Sequence, residues 1–248
     1  TADTGITGVR IMRAYPTFAK GTVPSSLIAN GTEKVLYRFN VKASNGEVSF
    51  YKFTFNVASS SRRATTSLFS LYAYTDSGYS QKDTSFSATG LLNAANCFNG
   101  SNNTGAGSSG KAATAGSFHP LVPTVEIYMD KGTSCNGATT TYTVANGATR
   151  YFSLEATIET TESVSGTETF EVALLGDAAF PVNSGTLLSK PAARDYEPVD
   201  TDTHDDFIWS PRSTSSIASV DDVDWTNGYQ VLGLPDSQMS PNIFTSEN

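Results

Sequence analysis

In the two runs that flank Asn45-Gly46, every second residue is large and apolar. Val35, Tyr37, Phe39 and Val41 share one phase before the turn, and Phe53, Phe55 and Val57 share one after it. A period of two marks a strand with one buried face, and Asn-Gly accepts the positive φ angles of a tight turn. The pair therefore predicts a β-hairpin. The phase breaks near Phe50-Tyr51, which predicts a bulge at that point. Asn-Gly recurs at Asn30, Asn99, Asn136, Asn146 and Asn227, so one turn chemistry punctuates the whole chain.

Further strands are expected at Gly8–Ala14, Leu68–Thr75, Thr124–Met129, Thr141–Val144, Arg150–Thr160 and Thr169–Leu175, alongside Val35–Ala43 and Val48–Ala58. No segment holds a 3.6-residue period beyond a turn or two. Short strands at this spacing in a chain of 248 residues predict an all-β fold, an immunoglobulin-like β-sandwich with an irregular C-terminal extension. The expected body covers residues 1–194, with a low-complexity Asn/Gly/Ser-rich insertion at 93–116, and the extension covers 195–248.

Composition points outside the cytoplasm. Charged residues make up only 16% of the chain, and Thr, Ser, Asn and Gly take their place. Cys97 and Cys135 sit in polar Asn/Gly-rich surroundings with no Cys-x-x-Cys pair and no histidine pattern near them. A disulfide between them is expected, in an oxidising compartment; two separate reduced thiols are the alternative. No apolar run approaches the roughly 20 residues of a membrane helix, so no membrane insertion is expected. The opening at Thr1 reads as that of a mature, processed chain or of a segment of a longer one.

Charge is laid out unevenly. From Asp195 onward eleven acidic residues stand against one base, Arg212, whereas residues 1–194 carry a net +2 within a total of −8. An acidic chain without a basic stripe is not expected to bind nucleic acid. Gly105–Lys111 has the spacing of a phosphate-binding loop, but Ala112 follows the lysine and the flanks are loop-like, so nucleotide binding is not expected. Asp200, Asp202, Asp205 and Asp206 could wrap a structural Ca²⁺, although Asp205 and Pro211 occupy places where an EF-hand needs Gly and Glu. Otherwise these residues form a solvated acidic linker, and no other cofactor is expected. His119 and His204, the two histidines, form no catalytic or zinc pattern. Asn30, Asn99 and Asn102 head N-glycosylation triplets.

The acidic extension also holds both tryptophans. Phe207, Trp209, Trp225 and Tyr229 are candidate anchors, either for pinning the extension to its own body or for filling a pocket on a neighbouring subunit. Stacking on a glycan is a further use for them. The carboxylates around them are expected at the rim of such a pocket, near Arg10, Arg13 or Arg62-Arg63.

Asp206-Phe-Ile-Trp-Ser-Pro211, a Ser/Thr-rich spacer, and Asp224-Trp-Thr-Asn-Gly-Tyr229 leading to Gly233-Leu-Pro235 together form a recognisable C-terminal pattern. It resembles that of large, repeat-containing surface proteins of very small-celled candidate-phylum bacteria. Val35–Ala43 and Ala145–Leu154 are similar to strands of the same proteins. The resemblance implies a cell-surface location and no chemistry. The function expected from these features is a structural, self-assembling cell-surface protein, a filament or surface-layer subunit, with itself as partner and no enzymatic activity. The alternative is a monomeric adhesin or carbohydrate-binding module. The N-terminal strand with Arg10 and Arg13 is expected to complete a neighbour's sheet by edge pairing.

Overall fold

The structure, a computed structural model, describes residues 11–28, 31–59, 64–93, 98–100, 124–131, 141–160, 169–179, 205–213 and 225–246. Among these there is no helix. The first sheet has the order β1 (Tyr15–Lys20), β3 (Thr32–Ser44), β9 (Thr149–Thr160), β5 (Ala64–Tyr74). The second has the order β2 (Leu27–Ile28), β12 (Asn242–Ser246), β10 (Thr169–Leu174), β4 (Val48–Ser59), β7 (Thr124–Tyr128), β6 (Phe98–Gly100). The named strands pair antiparallel with one another, apart from the short parallel contact of β12 with β2.

The inner faces of the two sheets meet in an aromatic core. Phe39 of β3 stacks on Phe152 of β9, with centroids 4.8 Å apart, and meets Phe53 of the opposite sheet edge-on at 5.3 Å. Tyr37, Phe39, Phe50, Phe53, Phe55 and Phe152 are all fully buried. Such offset and edge-on ring pairs add roughly 0.5–1.5 kcal/mol each beyond the area they bury.

The Asn45-Gly46 hairpin does not form. Asn45 has the expected positive φ of 63°, but β3 and β4 belong to different sheets. The turn is an arch between layers, and the two alternating runs face each other through their rings instead of sharing backbone hydrogen bonds. The same holds at Asn146-Gly147, between β8 (Tyr142–Val144) of the second sheet and β9 of the first. These two arches are tied together: Gly147 N donates to Ala43 O at 2.9 Å, and Ala43 N donates to Ala148 O at 3.1 Å. At Gly31 (φ 70°) the chain again crosses between sheets, from β2 to β3.

Two bulges set which side chains enter the core. On β3 the register to β9 jumps between Val35 and Tyr37, so Leu36 and Tyr37 are both buried and Val35 leaves the phase expected of it. On β4 the register to β11 (Phe207–Ser210) passes from Ile208↔Lys52 to Trp209↔Phe50 and skips Tyr51. Phe50 and Phe53 both point into the main core, so Tyr51 and Lys52 are both turned to the outer face of the second sheet.

The acidic extension supplies two strands to this sheet. β11 runs along β4 from Ser49 to Phe53, on the edge that β10 occupies from Phe55 to Ser59; β7 and β8 line the other edge. β12 pairs with the far side of β10. Of the expected strand at Gly8–Ala14, residues 8–10 lie outside the described residues and 11–14 are irregular; β1 starts at Tyr15. Pro16 is tolerated there because β1 is an edge strand of its sheet. The outer edge of β1 is met by the extension, where Phe18 N donates to Leu232 O at 2.8 Å.

Candidate functional site

The outer face of β4 carries a second, smaller apolar cluster of Tyr51, Tyr128, Ile208 and Trp225. Into it the Tyr51 bulge turns the side chain of Lys52, which is 1% exposed. The ammonium Nζ contacts Glu126 Oε1 at 2.5 Å on one side and Asp205 Oδ2 at 3.1 Å on the other, and both carboxylates are themselves buried. Glu126 comes from β7, which pairs with one edge of β4; Asp205 stands two residues before β11, which pairs with the other. The Tyr128 hydroxyl donates to Glu126 Oε2 at 2.9 Å and fixes that carboxylate in place.

Burial by itself lowers the basicity of Lys52, but the charges of Glu126 and Asp205 outweigh it and hold the amine well above the usual lysine range. Burial pushes the Tyr128 hydroxyl up, and the Glu126 charge adds to that. An isolated charge here would cost several kcal/mol, so the three groups stand or fall together. Chemically, the arrangement is an amine with a carboxyl group on each side in a site sheltered by aromatic rings.

A second buried carboxylate clasps the extension next to this site. Asp177 accepts backbone N–H bonds from Asp206 at 2.6 Å, Phe207 at 3.1 Å and Gly228 at 2.5 Å. Burial pushes its carboxyl up to about 7, against the pull of those three donors. A Cβ at Gly228 would stand 2.8 Å from Asp177 Oδ2, so the glycine of Asn227-Gly228 serves close approach.

The predicted anchors divide. Phe207, Trp209 and Trp225 are buried against their own body: Phe207 stacks on Phe53 at 5.1 Å, and Trp209 Nε1 donates to Asn227 O at 2.8 Å. Tyr229 is 39% exposed. Arg13 donates to the Arg212 carbonyl at 2.7 Å, a contact between the N-terminal segment and the extension. Arg10 and Arg62-Arg63 lie outside the described residues; so do Cys97, Cys135, Asp200, Asp202 and both histidines. Asp205 and Asp206 are not at a solvated rim. Both are buried, Asp205 against Lys52 and Asp206 with its N–H on Asp177. Among the described residues, no group of three or more His, Cys, Asp or Glu gathers to hold a metal ion. Lys52, Glu126 and Asp177 were not legible as site residues. A lone lysine in an apolar strand, between Tyr51 and Phe53, was the available signal.

On the first sheet, an open depression of about 400 Å³ is lined by Thr22, Arg38, Asn40, Ser77, Tyr79 and Tyr151. The Arg38 guanidinium lies over the Tyr79 ring, 3.9 Å from its centroid.

No protein-family model matches the chain, and no curated protein matches it. Among solved structures, one similar chain is that of AvmM, described as catalysing macrocyclization in alchivemycin A biosynthesis. The two are 11% identical over 66% of this chain and 74% of that one, with a TM-score of 0.24. A likeness of that degree carries no inference about fold or chemistry here. No helix among the described residues is long and apolar enough to cross a membrane.

Proposed function

We propose that this protein is a structural, self-assembling subunit of a cell surface, a filament or surface-layer unit, with an immunoglobulin-like β-sandwich as its body. It works outside the cytoplasm and has no substrate to turn over. The observation that carries this reading is the end of the second sheet, where among the described residues no strand pairs beyond β2. That sheet ends on β2, two residues long, beside β12, and there Leu27 is 43% and Ile243 58% exposed. A sheet edge flanked by exposed aliphatic residues is a template for another chain. Burial of Trp209 and Trp225 at home supports the same reading, because a subunit of a polymer must be a rigid body first.

Light scattering against protein concentration, with negative-stain microscopy of the same sample, tests the proposal. Ordered assemblies are expected, and Leu27→Asp with Ile243→Asp should abolish them while leaving the melting temperature unchanged. A wild-type protein that stays monomeric at all concentrations refutes it. The depression around Tyr79 and Tyr151 favours a second reading, a glycan-binding adhesin, because tyrosine rings beside Asn40 and Arg38 present stacking and hydrogen-bonding groups together. Binding on a glycan array that is lost in Tyr151→Ala would support that reading.

A further inference from the structure

We propose that Lys52 and Asp205 are joined by an intramolecular isopeptide bond, formed after folding with Glu126 as the proton carrier, which locks the C-terminal extension covalently to β4. The inference rests on the geometry of the buried amine and is independent of the assembly proposed above.

Three segments far apart in sequence bring the reacting groups together. Lys52 lies on the central strand of the second sheet. β7 presents Glu126 from one side, two residues from Tyr128, the pairing partner of Lys52. On the other side, Asp205 ends the approach to β11, whose Ile208 pairs with Lys52 itself. Asp177 holds the N–H groups of Asp206 and Phe207, so the residue that leads into them is held in register. Nζ is thereby placed 3.1 Å from an oxygen of the Asp205 carboxyl group. Holding two reactants in such contact is worth an effective concentration of roughly 10⁵–10⁸ M, enough to drive a condensation that fails between free groups in water.

Each atom in the step is accounted for. One proton passes from the Lys52 ammonium through the Glu126 carboxylate to the Asp205 carboxylate, which leaves a neutral amine beside a protonated Asp205 carboxyl and Glu126 ionised again. The nitrogen lone pair attacks Cγ of Asp205, and the carbonyl oxygen becomes an alkoxide. Glu126 then takes a proton from the nitrogen and delivers it to the hydroxyl of the tetrahedral centre. The alkoxide re-forms the carbonyl as the other C–O bond breaks, and one water leaves. An amide remains, with Glu126 as the carboxylate it was at the start. No atom changes oxidation state, and no co-reactant is needed. The apolar wall of Tyr51, Tyr128, Ile208 and Trp225 keeps bulk water from the reacting groups and shields the product from hydrolysis. Asp205 is assigned as the acceptor because Glu126 is held by the Tyr128 hydroxyl and is left to carry the proton.

The test is the intact mass of the folded, fully reduced chain. It is expected to be lower than the sequence mass by one water, and a protease digest should contain a branched peptide joining Lys52 to Asp205. Glu126→Gln, checked by circular dichroism for retained fold, should show the unreduced linear mass. A wild-type chain at the linear mass overturns the proposal and leaves a static ion triad. So does a lost water mapped to a succinimide elsewhere, or a branch from Lys52 to Glu126. The wild-type measurement decides even if a variant fails to fold.

Discussion

Replacing Trp209 by alanine examines whether the extension belongs to the body energetically as well as geometrically. The ring is 1% exposed and belongs to the main core. Removing a ring of this size from a packed interior costs about 3–5 kcal/mol. The bond from Nε1 to the Asn227 carbonyl adds about 0.5–1.5 kcal/mol. Together these approach the whole stability of an ordinary domain, which is about 5–15 kcal/mol. Trp209→Phe keeps much of the ring and isolates the hydrogen bond, so it should cost about 1–3 kcal/mol. Urea denaturation followed by far-UV circular dichroism reads both; Trp225 fluorescence gives an independent trace, because that ring is also 1% exposed. A single transition for both probes is expected, since β11 shares β4 with β7, β8 and β10. If Trp209→Ala shifts stability by less than about 1.5 kcal/mol at constant slope, the ring is not a core residue and the reasoning fails.

Three further outcomes are expected. Gly233 has φ 79°, and a Cβ on it would fall on the carbonyl oxygen of Phe18, so Gly233→Ala should lower stability by more than about 1 kcal/mol; an unchanged melting temperature would count against that contact. Leu68, with φ 57° and 45% exposure, is strained at the bulge of β5, so Leu68→Gly should gain roughly 0.5–1 kcal/mol, and a destabilised variant would show that its side chain matters more than its backbone. Asp177 keeps its proton in the fold up to about 7 but has an ordinary value of 3.8, so the stability it contributes is full below 3.8 and is lost as pH rises through about 7. Asp177→Asn cannot ionise, and denaturation midpoints across that window should fall less steeply for it than for the wild type; equal slopes would remove Asp177 as the cause.

What was local in this fold was legible in the sequence. The period of two identified β3 and β4, because alternation depends on neighbours two residues apart and on nothing remote. The break at Phe50-Tyr51 marked the place where the β11 register skips Tyr51. β11 escaped notice because all four of its residues are buried, so a strand covered on both faces shows no alternation. β1 escaped because Pro16 reads as a breaker unless the strand is known to lie at an edge.

Asn45-Gly46 shows where local reading stops. A positive φ at Asn45 satisfies a hairpin and an arch equally, and the alternating runs beside it offer the same apolar faces in both. Which of the two forms is set by partners remote in sequence: β9 takes the edge of β3, and β7 and β10 take the edges of β4. The same holds for the buried site. The sequence alone determined an all-β chain with an acidic, tryptophan-bearing extension. Only the tertiary structure decided that Lys52, Glu126 and Asp205 meet, because their meeting depends on one bulge and on the strands that flank β4, and backbone pairing over such separations leaves no periodic trace along the chain.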